Sequence, residues 1–262
     1  MPRRVVLHIG FHKTGTTSVQ AFLRANRKVL QPKAAIRLRG MMEPVVLAAR
    51  GFSTWRDPIS LAKVSFRFDA LLRSLPSMPR RVLILSAEEL SGHMPGRGTQ
   101  GDYSAAVALV QTYVAAIKRL FPKAEVIIYA GIRDPERWLR SAYWQHVKSS
   151  SMTMDYDSFV QAYPNAADLV GVLGQVQDAV DVPVFYRPLE AFRDEPLGPA
   201  SGLLEHCDLP AHLLRRLTPV PPANTRLPEP VLLDMLEANR THKDSDARKA
   251  AKQSILVAAG LG

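Results

Sequence analysis

Cysteine is almost missing from this chain of 262 residues, where Cys207 stands alone. One thiol makes no intramolecular disulfide and supplies no thiolate set for a zinc or iron–sulfur site, so Cys207 is expected to be a small buried residue. Long hydrophobic runs are missing too. No stretch approaches the roughly 18 apolar residues of a membrane helix. The apolar run after Arg3-Arg4 stops at Gly10 and His12, short of a secretory signal core. A cytoplasmic protein without a membrane span is expected, in which the Asn239-Arg-Thr241 triplet carries no glycan. There is no basic arm, zinc-finger spacing or aromatic RNA-binding signature, so nucleic acid is not the expected partner. The histidines, His8 and His146 among them, lack the H-E-x-x-H spacing, and no metal site is expected. Repeats and low-complexity tracts are absent as well.

What is present is an ordinary globular composition, 47% hydrophobic and 22% charged, at a length that suits one domain spanning residues 1–262. Lysine and arginine outnumber the acids 34 to 24, a formal charge of +10 that favours an anionic partner.

Val5 to Ile9, Val82 to Leu85 and Val126 to Tyr129 are short, continuously apolar runs, as expected of strands buried on both faces of a parallel sheet. A fourth strand is expected at Val182 to Tyr186, with Pro183 marking an edge or a strand start. Helical patterns follow: Thr17 to Val29; the Val107, Val110, Val114, Ile117, Leu120 stripe that Pro122 ends; and a helix from the N-cap Asp134 and Pro135 to about Lys148. Glu229 to Arg240 and Ala247 to Ala259 read as helical, and Gly92 to Tyr103 and Leu217 to Pro230 as loops. The alternation predicts a three-layer α/β/α, P-loop-like fold around a central, mainly parallel sheet.

After the first strand, Gly10-x-x-x-x-Gly15-Thr16-Thr17 supplies glycines, successive backbone N–H groups and hydroxyls at a helix start, which is what a phosphate needs. A nucleoside-triphosphate loop carries lysine directly after the second glycine, then a hydroxyl for magnesium. Here Thr16 holds that lysine position and the lysine is Lys13, inside the loop. His12-Lys13-Thr14-Gly15-Thr16-Thr17 resembles the 5′-phosphosulfate-binding loop of PAPS-dependent sulfotransferases. The resemblance implies that these residues hold the 5′ end of the donor PAPS, with Lys13 at the bridging oxygen. It extends to Arg133-Asp134-Pro135 and, eight positions after the arginine, Ser141, which the resemblance assigns to the donor's 3′-phosphate. Arginine's planar fork suits that role. Asn224-Thr-Arg226 sits where many relatives place a further donor-binding segment.

Sulfuryl transfer needs in-line positioning, positive charge at the leaving oxygen and a base for the acceptor. Lys13 is the candidate for the charge. Glu88, directly after the second strand, is the leading candidate base, with Glu43, Glu89, His12 and His93 as competitors. Gly96-Arg-Gly98-Thr-Gln-Gly101 satisfies G-x-G-x-x-G, but it follows a proline rather than a strand and is expected to be a mobile loop near the acceptor. The resulting expectation is a metal-free sulfotransferase acting on a small-molecule or glycan acceptor. A P-loop small-molecule kinase and a non-catalytic polyanion-binding protein are the alternatives.

Overall fold

Short β-branched runs are stable as strands when both faces are covered, which a parallel sheet between helical layers achieves. The computed structural model, which describes residues 1–221 and 227–261, is built this way. In chain order it contains β1 (Arg4–His8), α1 (Thr16–Ala25), α2 (Arg27–Leu30), β2 (Ala34–Leu38), α3 (Glu43–Trp55), α4 (Pro58–Arg73) and β3 (Val82–Ser86). There follow α5 (Ala105–Leu120), β4 (Glu125–Ile132), α6 (Pro135–Ser149), α7 (Tyr156–Ala162), α8 (Leu169–Ala179) and β5 (Val184–Pro188). The chain closes with α9 (Ala200–Glu205), α10 (Ala211–Leu214), α11 (Glu229–Thr241) and α12 (Ser245–Ala258).

All strand pairs among the described residues are parallel, and the order is β2-β3-β1-β4-β5. Alternation of side chains along the strands gives two cores. Val5, Leu7, Leu83, Leu85 and Ile128 pack with the apolar faces of α3, α4, α5, α6, α8 and α11. Val6, Ile84 and Tyr129 pack on the other face with Phe22, Leu23, Leu30, Leu203 and Leu213. Cys207 is fully buried in that second core. The three-layer α/β/α expectation holds, and no described helix is long and apolar enough to cross a membrane.

Three local expectations are revised. The helix expected from Thr17 to Val29 divides at Asn26, whose side chain donates to Phe22 O (3.2 Å) and Thr218 O (2.9 Å) and accepts from Thr218 N (2.8 Å). That side chain competes with the helical ladder and ties in a distant loop. The strand β2 has a weak sequence signal because Ala34-Ala-Ile-Arg-Leu38 holds two alanines, poor strand formers, and a charged arginine that interrupts the apolar run. The strand expected at Val182 begins instead at Val184, after Pro183, which has no N–H for the ladder and whose carbonyl accepts from Ile128 N (3.0 Å).

The last two helices lock α6. Asn239 Nδ2 donates to Val147 O (3.0 Å) and Met152 O (2.8 Å), and Lys252 Nζ donates to Val147 O (2.6 Å) and Ser150 O (2.7 Å). The lysine satisfies carbonyls at the end of α6 that the helix leaves without partners. Asn224 to Arg226 lies outside the described residues.

Candidate functional site

Because β3 and β4 flank β1, whatever follows these three strands shares one edge of the sheet. Glu88 comes just after β3, Gly10 to Thr17 after β1, and Arg133 after β4. Ligands of open α/β sheets bind at this carboxyl edge, where the chain switches direction about the central strand.

The loop is tightly made. Gly10 has φ +28° and Gly15 φ +94°; a Cβ on Gly10 would lie 2.6 Å from Thr16 Oγ1. Lys13 itself is left-handed, φ 67°, an uncommon conformation for a non-glycine residue that neighbouring bonds must impose. Thr14 Oγ1 donates to Phe11 O (2.7 Å), Trp138 Nε1 to His12 O (2.8 Å) and an Arg133 Nη1–H to Lys13 O (3.1 Å). Three carbonyls of the loop are thereby occupied. At the start of α1 no side chain caps the helix and no acid lies in its first turn. The N–H groups there, at the positive end of the helix, suit an anion.

Gly131 of β4 underlies the loop: a Cβ there would meet Thr14 O at 2.9 Å. Gly131→Ala is expected to displace the loop and to cost about 1–3 kcal/mol in urea unfolding. An unchanged unfolding midpoint would show that the loop does not rest this closely on β4.

Lys13 Nζ donates to Gln145 Oε1 (3.2 Å). Burial pushes its pKa down to about 8, helped by Lys148 and Arg133, while Glu88 pulls it back up. Arg133 Nε is buried without a hydrogen-bond partner, 3.8 Å from Glu190 Oε1, so it retains a donor. Glu88 accepts from Gln20 Nε2 (3.0 Å), and burial, reinforced by Glu89, raises its pKa above the usual carboxylate range.

The competing bases are placed differently. Glu89 is held by Arg39 at 2.6 Å. His93 faces Arg50 at 3.3 Å, and burial and that arginine hold its pKa down. Glu43 is exposed on the first turn of α3. At His12 the backbone N–H donates to the Tyr103 hydroxyl (3.0 Å), which also shares a hydrogen bond with His12 Nδ1 (2.9 Å). The ring, its pKa lowered to about 3 chiefly by burial, is neutral and has Nδ1 engaged by that hydroxyl. Of these carboxylates and histidines, Glu88 has a raised pKa and a charge that pulls the Lys13 pKa back up.

Thr16 and Thr17 open α1, and Ser141 is half-buried on α6. Trp138 and Gln145, which touch the loop, lie three residues before and four after Ser141, on the same helical stripe, so this face of α6 runs beside the loop. Gln20, Tyr103, Trp138, Gln145 and Glu190 were unassigned in sequence. Gln20 and Gln145 had a usable signal, the spacing i,i+4 from Thr16 and Ser141. The Gly96–Gly101 loop, expected to be mobile, is anchored: Gly96 N bonds Gln100 O (2.9 Å) and Gln100 Nε2 bonds Ser53 O (2.8 Å). No protein-family model matches this chain, and no curated protein or solved structure matches it.

Proposed function

We propose that the chain is a PAPS-dependent sulfotransferase. The observation that carries the reading is Lys13, a lysine displaced from the triphosphate-loop position, held left-handed within an anion-receiving turn, with Glu88 and Arg133 on the two adjacent strand ends. In this reading His12 to Thr17 take the 5′-phosphosulfate, and Arg133 with Ser141 takes the 3′-phosphate. Glu88 receives the proton of the acceptor hydroxyl or amine as its oxygen or nitrogen forms the new bond to sulfur. The bond from sulfur to the bridging oxygen breaks, and the Lys13 ammonium balances the charge that collects there. PAP, the adenosine 3′,5′-bisphosphate product, leaves.

Calorimetry with PAP and AMP tests the assignment of two phosphate sites. The intact protein is expected to prefer PAP, and Arg133→Ala to lose about tenfold to a hundredfold of that preference, the range for a hydrogen bond to a charged group. No binding of PAP, or a preference for magnesium–ATP over PAP, would overturn the reading in favour of a kinase. PAP binding without turnover of any acceptor would leave a polyanion-binding protein.

A further inference from the structure

Beyond the loop, the structure contains a cavity of about 520 Å³ at the carboxyl end of α6. Its size lies in the range of small-molecule sites. Arg97, Lys148, Arg248, Lys249 and Lys252 line it, and no aspartate or glutamate does. Such a concentration of one sign is costly unless something offsets it. Within the described residues the offset is slight. Lys249 pairs with Asp246 at 3.3 Å, but both side chains are largely exposed, where a pair contributes little. Lys252 and Arg248 are satisfied by main-chain carbonyls, which carry no net charge, and the Asp244 carboxylate that Arg248 also feels is exposed at the start of α12. Arg97 and Lys148 are exposed and form no ion pair among the described residues. The Lys252 pKa is pushed down to about 8, first by burial and then by Arg248.

The cavity begins one helical turn beyond the residue that holds Lys13. Gln145, which holds Lys13, is three residues before Lys148, about 4.5 Å along the helix axis. Lys148 is also close enough to depress the Lys13 pKa, so one cation serves both regions. The far wall is Gly96 to Gly98 of the anchored G-x-G-x-x-G loop, and Ser151 and Thr153 add exposed hydroxyls. We propose that this cavity binds the anionic part of the acceptor, a carboxylate- or sulfate-bearing alcohol, with its reacting hydroxyl directed towards Lys13 and Glu88. The acceptor role rests on the sulfuryl-transfer reading; the cavity as an anion site does not.

The test uses the intact protein with saturating PAP, so that the donor loop is filled. Sucrose octasulfate is expected to bind with one-to-one stoichiometry and uncharged sucrose not to bind. Arg97→Glu combined with Lys249→Glu, two exposed positions, is expected to weaken the octasulfate about tenfold or more while PAP affinity stays as in the wild type. No octasulfate binding, equal binding by the variant, or displacement of PAP would overturn the anion site. With labelled PAPS, carboxylated or sulfated alcohols are expected to be used ahead of their uncharged parents, and the double variant to raise KM while sparing kcat. Equal use of charged and uncharged alcohols would overturn the acceptor role. If PAP itself does not bind, the sulfuryl-transfer reading fails separately, and the octasulfate titration without PAP decides the cavity.

Discussion

Lys13→Ala is expected to lower kcat/KM for PAPS about a thousandfold, the upper range for removing one preorganised group that meets developing charge. In the sulfuryl-transfer reading the loss should fall mainly on kcat, because the loop amides and Arg133 would still hold the nucleotide. A lysine whose pKa is lowered to about 8 also predicts an alkaline limb in kcat/KM for PAPS, since the required form is protonated and is depleted above that pH. Lys13→Arg is expected to push that limb out of range in whatever activity it keeps. Misfolding is a poor explanation for the loss. Burial penalises the charged ammonium at neutral pH, where Lys13 is protonated both folded and unfolded, so Lys13→Met should be at least as stable as the wild type. An alanine variant retaining a tenth or more of the activity would remove Lys13 from the chemistry.

Glu88→Gln is expected to lower kcat by about a hundredfold to ten-thousandfold, the range for a lost general base. The substitution preserves the acceptor for Gln20, so the geometry should survive. With the carboxyl pKa raised by burial and by Glu89, the acidic limb of the wild-type profile should lie above the ordinary glutamate value of about 4.3, and the variant should lack it. The stability effect has the opposite sign. A raised folded pKa favours the fold while the group is protonated, and that advantage is lost as pH rises through the folded value. Glu88→Gln should therefore raise the unfolding temperature at about pH 8 and leave it nearly unchanged at about pH 3.5, where the wild-type carboxyl is protonated in both states. A variant with unchanged kcat, whatever its stability, would transfer the base role elsewhere.

The parts of the candidate site legible in sequence were those that are contiguous or adjoin a recognisable element. Gly10 to Thr17 reads as a loop because a buried apolar run precedes it and a helix start follows. Arg133 reads as an edge residue because it directly follows a strand whose apolar character is continuous. The residues that hold the site were harder to find, because they lie far away in the chain. Gln20 is 68 residues from Glu88, Tyr103 is 91 from His12, and Gln145 is 132 from Lys13. Glutamine, tyrosine and tryptophan at helical spacing look like ordinary packing until the packing partner is known. The edge strand β2 is hard to read for a different reason: it is buried like the central strands, but with two alanines and an arginine among its five residues it lacks their continuous β-branched apolar run.

By itself the sequence determined the layered α/β architecture, the glycine-bounded turn between β1 and α1 and the placing of Lys13 inside it, because hydrophobic period, glycine placement and residue order are local properties. Only the tertiary structure decided which carboxylate acts electrostatically on that lysine. Glu88 and Glu89 are neighbours in sequence, and their backbone geometry sends one towards Gln20 and Lys13 and the other into a bond with Arg39. It also decided that His12 is a neutral, engaged ring rather than a free base, since the Tyr103 hydroxyl is brought to it from another element. The physical reason is common to both: the proton affinity of a side chain depends on burial and on the charges and donors within a few ångströms, and those are set by packing between distant segments.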